Sequence, residues 1–304
     1  MNVHIYTDID TLFGRACRIW MDVLLSAGHE VEYVDLGTST SVPLPNLDHS
    51  DINLLICGIC AFERFGQHGL PKGGKNILWM LDPLTSDSAA SVHNYKATLF
   101  DVFANQLDAV IAMDAPIENY LHQHYPELPT FRIPYMVAEK HIRSPVPELD
   151  KALRAIFMGG TSPNRARAEQ LFNAARVPVD FVSAGLWGVE RDERLRQAAV
   201  VLSIHADSAH TYFDQFRTLD AWAAGTVLLL ETTDGLDVHG IEPGVHLMMA
   251  DLAEMPQACA ALLKDAGTRQ AMVTHAQALL QERFLPQHWS RKMLEALDMV
   301  QDIH

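Results

Sequence analysis

Arg217 and Asp220 stand three residues apart in Phe216-Arg217-Thr218-Leu219-Asp220-Ala221-Trp222-Ala223-Ala224-Gly225, with the apolar run 226–230 directly behind them. A polar, Arg-bearing entry into a short helix of small residues, closed by Gly and followed by a buried strand, aims backbone N–H groups and a positive helix end at one point. An anion such as a diphosphate suits that point. Arg217 adds a planar fork for phosphate, and Asp220, one helical turn on, is placed to accept hydrogen bonds from sugar hydroxyls. The same residues also describe an ordinary helix with an outward ion pair, so the motif alone decides nothing.

A second group of residues opens the later half of the chain. An apolar strand at 155–158 runs into Gly159-Gly160-Thr161-Ser162-Pro163-Asn164-Arg165-Ala166-Arg167. Glycines at the C-terminal end of a strand let a ligand approach the backbone, and open α/β sheets bind ligands there. Asn164, Arg165 and Arg167 fall near the following helix start, in reach of phosphates. His205 and His246 lie near strand ends and are candidates to line the same pocket.

These residues need a scaffold, and the chain supplies one by alternation. Apolar strand-like runs at 3–6, 30–36, 54–60, 77–81 and 109–112 alternate with helical patterns at 14–27, 99–106 and 117–125, and a short strand ends near Pro134. Such alternation implies a mostly parallel sheet covered by helices on both faces. Residues 134–150 hold three prolines and mixed charge and read as a connector. A second alternation follows: strands at 154–158, 179–183, 200–204, 227–231 and 246–249, and helices at 166–175, 256–264, 268–284 and 290–300. Two α/β domains are expected.

Composition narrows the partners. The 304 residues are 48% hydrophobic and 20% charged, a globular balance, with a net charge of -15. That charge disfavours nucleic acid and anionic membranes and leaves a phosphate-bearing small ligand open. No apolar run reaches membrane-spanning length, the N-terminus lacks a signal-peptide pattern, and four cysteines fit a reducing compartment. A cytoplasmic protein is the expectation.

The order Gly159-Gly160 with Arg165, then Ser183-Ala184-Gly185, then 201–205, 216–225 and Gly244-Val245-His246, resembles the C-terminal, nucleotide-sugar-binding half of GT-B glycosyltransferases of the group 1 type. Arg217-Thr218-Leu219-Asp220-Ala221 with Ala224-Gly225 is similar to the Arg-x-Phe-Glu-Ala-x-Ala-x-Gly pattern of their CgeB-like (spore-maturation-like) branch. The likeness covers the second half well and the first half in outline.

What the resemblance implies is specific. The fold class is α/β: two Rossmann-like domains with parallel sheets facing across a cleft. Residues 1–138 form an acceptor domain, 139–150 a linker, 151–285 the nucleotide-sugar domain, and 286–304 a helix packing back on the first. The activity is metal-independent transfer of a sugar from a nucleoside-diphosphate donor, such as a UDP-sugar, to an acceptor hydroxyl. The donor is a co-substrate, and no cofactor or metal is implied. Donor binding falls to Gly159, Gly160, Asn164, Arg165, Gly185, His205, Phe216, Arg217, Thr218 and Asp220. Gly14 and Arg15 belong to the acceptor side. Asp10 is the first candidate for the catalytic base and Asp82 the second, each ending a strand; an N-cap or turn role is the plain alternative for both. The acceptor is a glycan, small molecule or protein, with nucleic acid disfavoured. Asp220 replaces the family's Glu, and Tyr212 stands where the earlier acid of its Glu-x7-Glu pattern falls. Hinges for domain closure are expected near 134–150 and the terminal helix.

Rival readings are weaker. A non-catalytic binder of GT-B shape is compatible with Tyr212. A haloacid-dehalogenase-like phosphohydrolase would use Asp8 and Asp10, yet Leu12 stands where Thr or Val belongs and no later Gly-Asp-x-x-x-Asp follows. The Asp8-x-Asp10 pair of a GT-A enzyme should follow a whole nucleotide-binding subdomain. A Rossmann dehydrogenase lacks its Gly-x-Gly-x-x-Gly, and Cys57-Gly58-Ile59-Cys60 reads as small core residues.

Overall fold

The computed structural model describes residues 1–302 except 9, 46–49, 85–91, 149, 184–185, 187 and 208–211, and leaves out the side chains of 10–12 and 92. The chain divides into two compact units, 1–136 with 286–304, and 137–285.

Unit 1 begins β1 (Asn2–Thr7), α1 (Asp10–Ser26), β2 (Glu30–Asp35), β3 (Ile52–Leu55), α2 (Ile59–His68) and β4 (Lys75–Met80). It continues α3 (Val92–Phe103), β5 (Ala109–Ala112), α4 (Ala115–His124) and β6 (Thr130–Arg132). All six strands are parallel, in the order β2-β1-β3-β4-β5-β6. Every residue of β3 and β5 is buried, as expected of parallel strands covered on both faces. Trp20 of α1 packs edge-on against Trp79 of β4, ring centres 5.8 Å apart.

Residues 54–60, expected as one strand, are split. β3 stops at Leu55 and α2 starts at Ile59, so Cys60 is helical. The cap of α2 is remote. Asp8 accepts hydrogen bonds from the N–H of Gly58 at 2.6 Å and of Ala61 at 2.8 Å, which satisfies donors at the helix start.

Unit 2 comprises β7 (Ala152–Met158), α5 (Pro163–Ala174), β8 (Val179–Val182), α6 (Gly188–Gln197), β9 (Ala198–Ser203) and α7 (Gln215–Ala223). β10 (Val227–Glu231), β11 (Met248–Ala250), α8 (Met255–Lys264) and α9 (Ala266–Arg283) complete it, and the last helix, α10 (Pro286–Gln301), belongs to unit 1. The sheet order is β11-β10-β9-β7-β8, again parallel. From β7 the chain goes to β8 on one side and β9 on the other. The strand order therefore reverses between β7 and β9, the place where open parallel sheets form a ligand crevice. Phe157, Phe172, Leu202, Leu229 and Met255 are among the residues of its core.

Residues 139–150 are anchored to unit 2. Arg143 N–H donates to Ala223 O at 2.7 Å, and Glu148 pairs with Lys151 at 3.4 Å and with Arg269. Gly225 is required here twice. Its φ of +73° lets α7 end with Gly225 N–H on Trp222 O and Thr226 N–H on Ala221 O, each at 3.0 Å. A Cβ on Gly225 would also stand 2.8 Å from Pro145 Cα.

Candidate functional site

β7 delivers Met158 and Gly159 to the crevice of unit 2. Arg217, in the first turn of α7, reaches across and donates from Nε to Met158 O at 3.0 Å. Gly159 permits this approach: a Cβ there would stand 2.7 Å from Arg217 Nη2 and 2.9 Å from Phe157 Cζ. Arg165, in the first turn of α5, donates from Nε to Ile204 O at 3.1 Å and from Nη1 to Gly160 O at 2.9 Å. The residues just past β7 and β9 are thus tied together by one guanidinium.

Both arginines converge on Phe157. Their guanidinium carbons lie 5.3 Å (Arg165) and 5.6 Å (Arg217) from the ring centre. Burial, and then the charge of Arg217, push the Arg165 guanidinium down from 12.5 to about 10. Bringing two cations close costs free energy, which the Asp214 carboxylate paired with Arg217 offsets in part.

The start of α7 is not bare. Asp214 is its N-cap, accepting from Arg217 N–H at 3.0 Å, and its other carboxylate oxygen pairs with Arg217 Nη1. One expected N–H donor of the helix end is therefore taken by a carboxylate. Ser162 likewise caps α5, accepting from Arg165 N–H at 3.3 Å. Thr218 is fully buried, and its hydroxyl has no hydrogen-bond partner among the described residues. Phe216, beside it, is half-buried.

Asp220 is 6% exposed, and its carboxylate takes Arg191 Nη1 of α6 at 2.6 Å. Sequence reading overlooked Arg191 because it overlooked α6. Asn164 and His205 meet on Glu231, the last residue of β10. His205 N–H donates to Glu231 Oε2 at 2.8 Å, and Asn164 Nδ2 lies 3.2 Å from each Glu231 oxygen. The His205 ring places Nε2 3.2 Å from Thr232 O and its centre 6.3 Å from the Tyr212 ring. Glu231 is the second residue missed; an acid ending an apolar strand, just outside the motif, was its only signal. Gly185 lies outside the described residues.

In unit 1, Asp10 opens α1 with its backbone, and its side chain lies outside the described residues. Asp82 follows β4 and pairs with Lys96 of α3, whose ammonium sits 4.9 Å from the Phe62 ring centre. Gly14 is buried within α1, where its carbonyl accepts Arg18 Nε at 3.1 Å, and Arg15 is half-buried next to it. Asp8 is 2% exposed, and both its oxygens accept backbone N–H groups at the start of α2, the role of a helix cap. Cys57 and Cys60 are free thiols raised by burial. Among the described residues no cluster of His, Cys, Asp and Glu is arranged for a metal, and no helix is long and apolar enough to cross a membrane.

Residues 166–295 match a family described as Glycosyl transferase-like. The match includes Arg217, Asp220 and Glu231 and begins just after Arg165. A 127-residue segment, 41% of this chain, is 27% identical to the uncharacterized protein L140 of Acanthamoeba polyphaga mimivirus and covers 41% of that protein. Among solved structures, sucrose-phosphate synthase from Thermosynechococcus elongatus aligns at a TM-score of 0.67 with 12% identity over 99% of each chain. T4 phage BGT in complex with UDP and Mn2+ aligns at 0.65 with 13% identity over the whole of both chains. S. aureus TarM in complex with UDP aligns at 0.56 with 12% identity, covering 82% of this chain and only 55% of TarM. At these identities the likeness is one of fold. The chain has the GT-B architecture: two Rossmann-like α/β units, each built on a parallel sheet.

Proposed function

We propose that this chain is a glycosyltransferase that moves a sugar from a nucleoside-diphosphate donor to an acceptor hydroxyl. The observation that carries the reading is the convergence of Arg165 and Arg217 on Phe157 beside the close-packed Gly159. Support comes from the glycosyl transferase-like match and from solved structures of this fold whose complexes hold UDP. The order of the glycine, arginine and Ala-x-Gly motifs supports a CgeB-like branch within this reading, and the few cysteines suit a cytoplasmic enzyme.

In the reaction the acceptor oxygen bonds to the anomeric carbon as the bond from that carbon to the diphosphate oxygen breaks. Negative charge grows on the leaving diphosphate, where fixed cations in a dry site are most effective. Arg165 and Arg217 supply that charge without a metal, and Gly159 and Gly160 let the phosphates reach the backbone. Ribose hydroxyls go to Asp220, which Arg191 holds in place. The hydroxyl proton goes to a carboxylate, for which Asp10 is the residue proposed; Asp82 is less suited because Lys96 already occupies it.

A thermal-shift series with UDP, GDP, dTDP and ADP tests the reading, because a ligand that binds the folded state raises the melting temperature by mass action. One nucleotide should raise it, and its sugar conjugate should be consumed. No shift with any of the four, and no turnover, counts against the assignment.

A further inference from the structure

Glu231 is the C-terminal residue of β10, an interior strand of the unit 2 sheet, and it is 8% exposed. Desolvating a carboxylate costs several kcal/mol unless its oxygens are satisfied. Here neutral donors satisfy it: the His205 N–H at 2.8 Å and Asn164 Nδ2 at 3.2 Å from both oxygens.

Asn164 is arranged for Glu231 rather than for itself. Its Nδ2 also donates to His205 O at 3.1 Å, while its Oδ1 is buried with no partner. An orphaned buried acceptor costs about 1–3 kcal/mol. Turning the amide over would give Oδ1 nothing better, because it would then face the carboxylate. The carboxylate therefore dictates how the amide sits.

Both residues held by Glu231 flank Arg165. Asn164 precedes it in the first turn of α5, and His205 follows Ile204, whose carbonyl accepts Arg165 Nε at 3.1 Å. Glu231 also contributes, with Asp214, to keeping Arg165 protonated against burial and the charge of Arg217.

We propose that Glu231 is a positioning residue: it locks Asn164 and the His205 backbone, and through them sets the Arg165 guanidinium against the glycine loop where the diphosphate binds. The effect on nucleotide affinity rests on the donor reading above. The placement of Arg165 rests on the contacts alone.

The experiment uses the full chain, labelled with 15N, and reads two signals. The first is the Arg165 Nε–H resonance, identified by its loss in Arg165→Lys and protected from exchange by Ile204 O. Glu231→Gln should abolish that protection. The second is UDP affinity by calorimetry, which Glu231→Gln should weaken roughly tenfold, whereas in an Arg165→Lys background it should cost less than about twofold. Should Glu231→Gln fail to fold, Asn164→Ser reads the same two signals through the other half of the lock and should lower both.

Protection retained in Glu231→Gln overturns the proposal, as does an equal affinity loss in both backgrounds, which is the behaviour of a residue that only stabilises the sheet. Tighter UDP binding in Glu231→Gln also overturns it, since the charge would then be opposing the diphosphate. If the wild type binds none of the four nucleoside diphosphates while Glu231→Gln still loses the Nε–H protection, the lock stands and the donor reading fails.

Discussion

Arg165 and Arg217 place their guanidinium carbons 5.3 Å and 5.6 Å from the centre of the same ring, Phe157, although they arrive from the starts of different helices. Arg165 binds the carbonyls of Ile204 and Gly160, and Arg217 binds that of Met158. Arg217 also pairs through Nη1 with Asp214, so its Nη2, which a Cβ on Gly159 would meet, is the part of its fork left beside the glycine loop.

Removing Arg217 should disable turnover while sparing the fold. Its ion pair with Asp214 is between neighbours on one short helix, and the side chain is 20% exposed. Arg217→Ala is expected to lower kcat roughly 100- to 1000-fold, the usual cost of losing one preorganised group at a developing anion. The melting temperature should stay within a few degrees, and Arg217→Lys should recover little because the planar fork is lost. Initial rates and a melting curve on the same preparations check this.

Two glycine replacements should separate binding from stability. In Gly159→Ala the new methyl meets the Arg217 guanidinium and the Phe157 ring, so nucleotide affinity should fall about tenfold with little loss of stability. In Gly225→Ala the methyl meets the Pro145 backbone at a φ of +73°, so stability should fall by roughly 2–3 kcal/mol. Denaturant titration and calorimetry on both variants give the comparison.

Asp220 should prove a structural residue as well as a ligand contact. It and Arg191 are 6% and 13% exposed, and removing one leaves the other charge buried alone. Asp220→Ala is expected to cost about 3 kcal/mol, and the double replacement with Arg191→Met should be milder than Asp220→Ala by itself. Equal stability of Asp220→Ala and wild type in urea would contradict the pairing.

A pH test is available in unit 1. Asp114 caps α4 by accepting Ile117 N–H at 3.0 Å, and burial pushes its carboxyl up from 3.8 to about 6. An acid whose pKa is higher folded than unfolded binds more protons in the folded state between those values. Its contribution therefore turns unfavourable as pH rises through that window. Asp114→Asn keeps the cap and removes the charge, so it should be more stable than wild type above pH 6 by on the order of 1 kcal/mol. The advantage should vanish toward pH 4, as melting curves at the two ends would show.

The alternating scaffold was legible because parallel strands buried on both faces read as continuous apolar runs, as at 109–112 and 227–230. The glycine loop and Arg217 were legible for a different reason: a motif with a mechanism constrains residue types at a strand end. α2 was not, since its apolar start continues the run from β3 and its cap, Asp8, lies 50 residues away from Gly58. α6 was missed because its sequence, Gly-Val-Glu-Arg-Asp-Glu-Arg-Leu-Arg-Gln, buries only Leu195 among apolar residues and shows no stripe. Arg191 was lost with it. Glu231 was invisible as a partner because it acts through contacts that only the fold creates, across 26 residues to His205.

The most direct measurement is calorimetric titration of UDP and UMP into wild type, Arg165→Ala and Arg217→Ala. If the two guanidinium groups hold a diphosphate, wild type should bind UDP at least about tenfold more tightly than UMP, and each variant should bring the two affinities together. Equal affinity for UDP and UMP in wild type, or an undiminished preference in both variants, would contradict the diphosphate site on which the proposed activity depends.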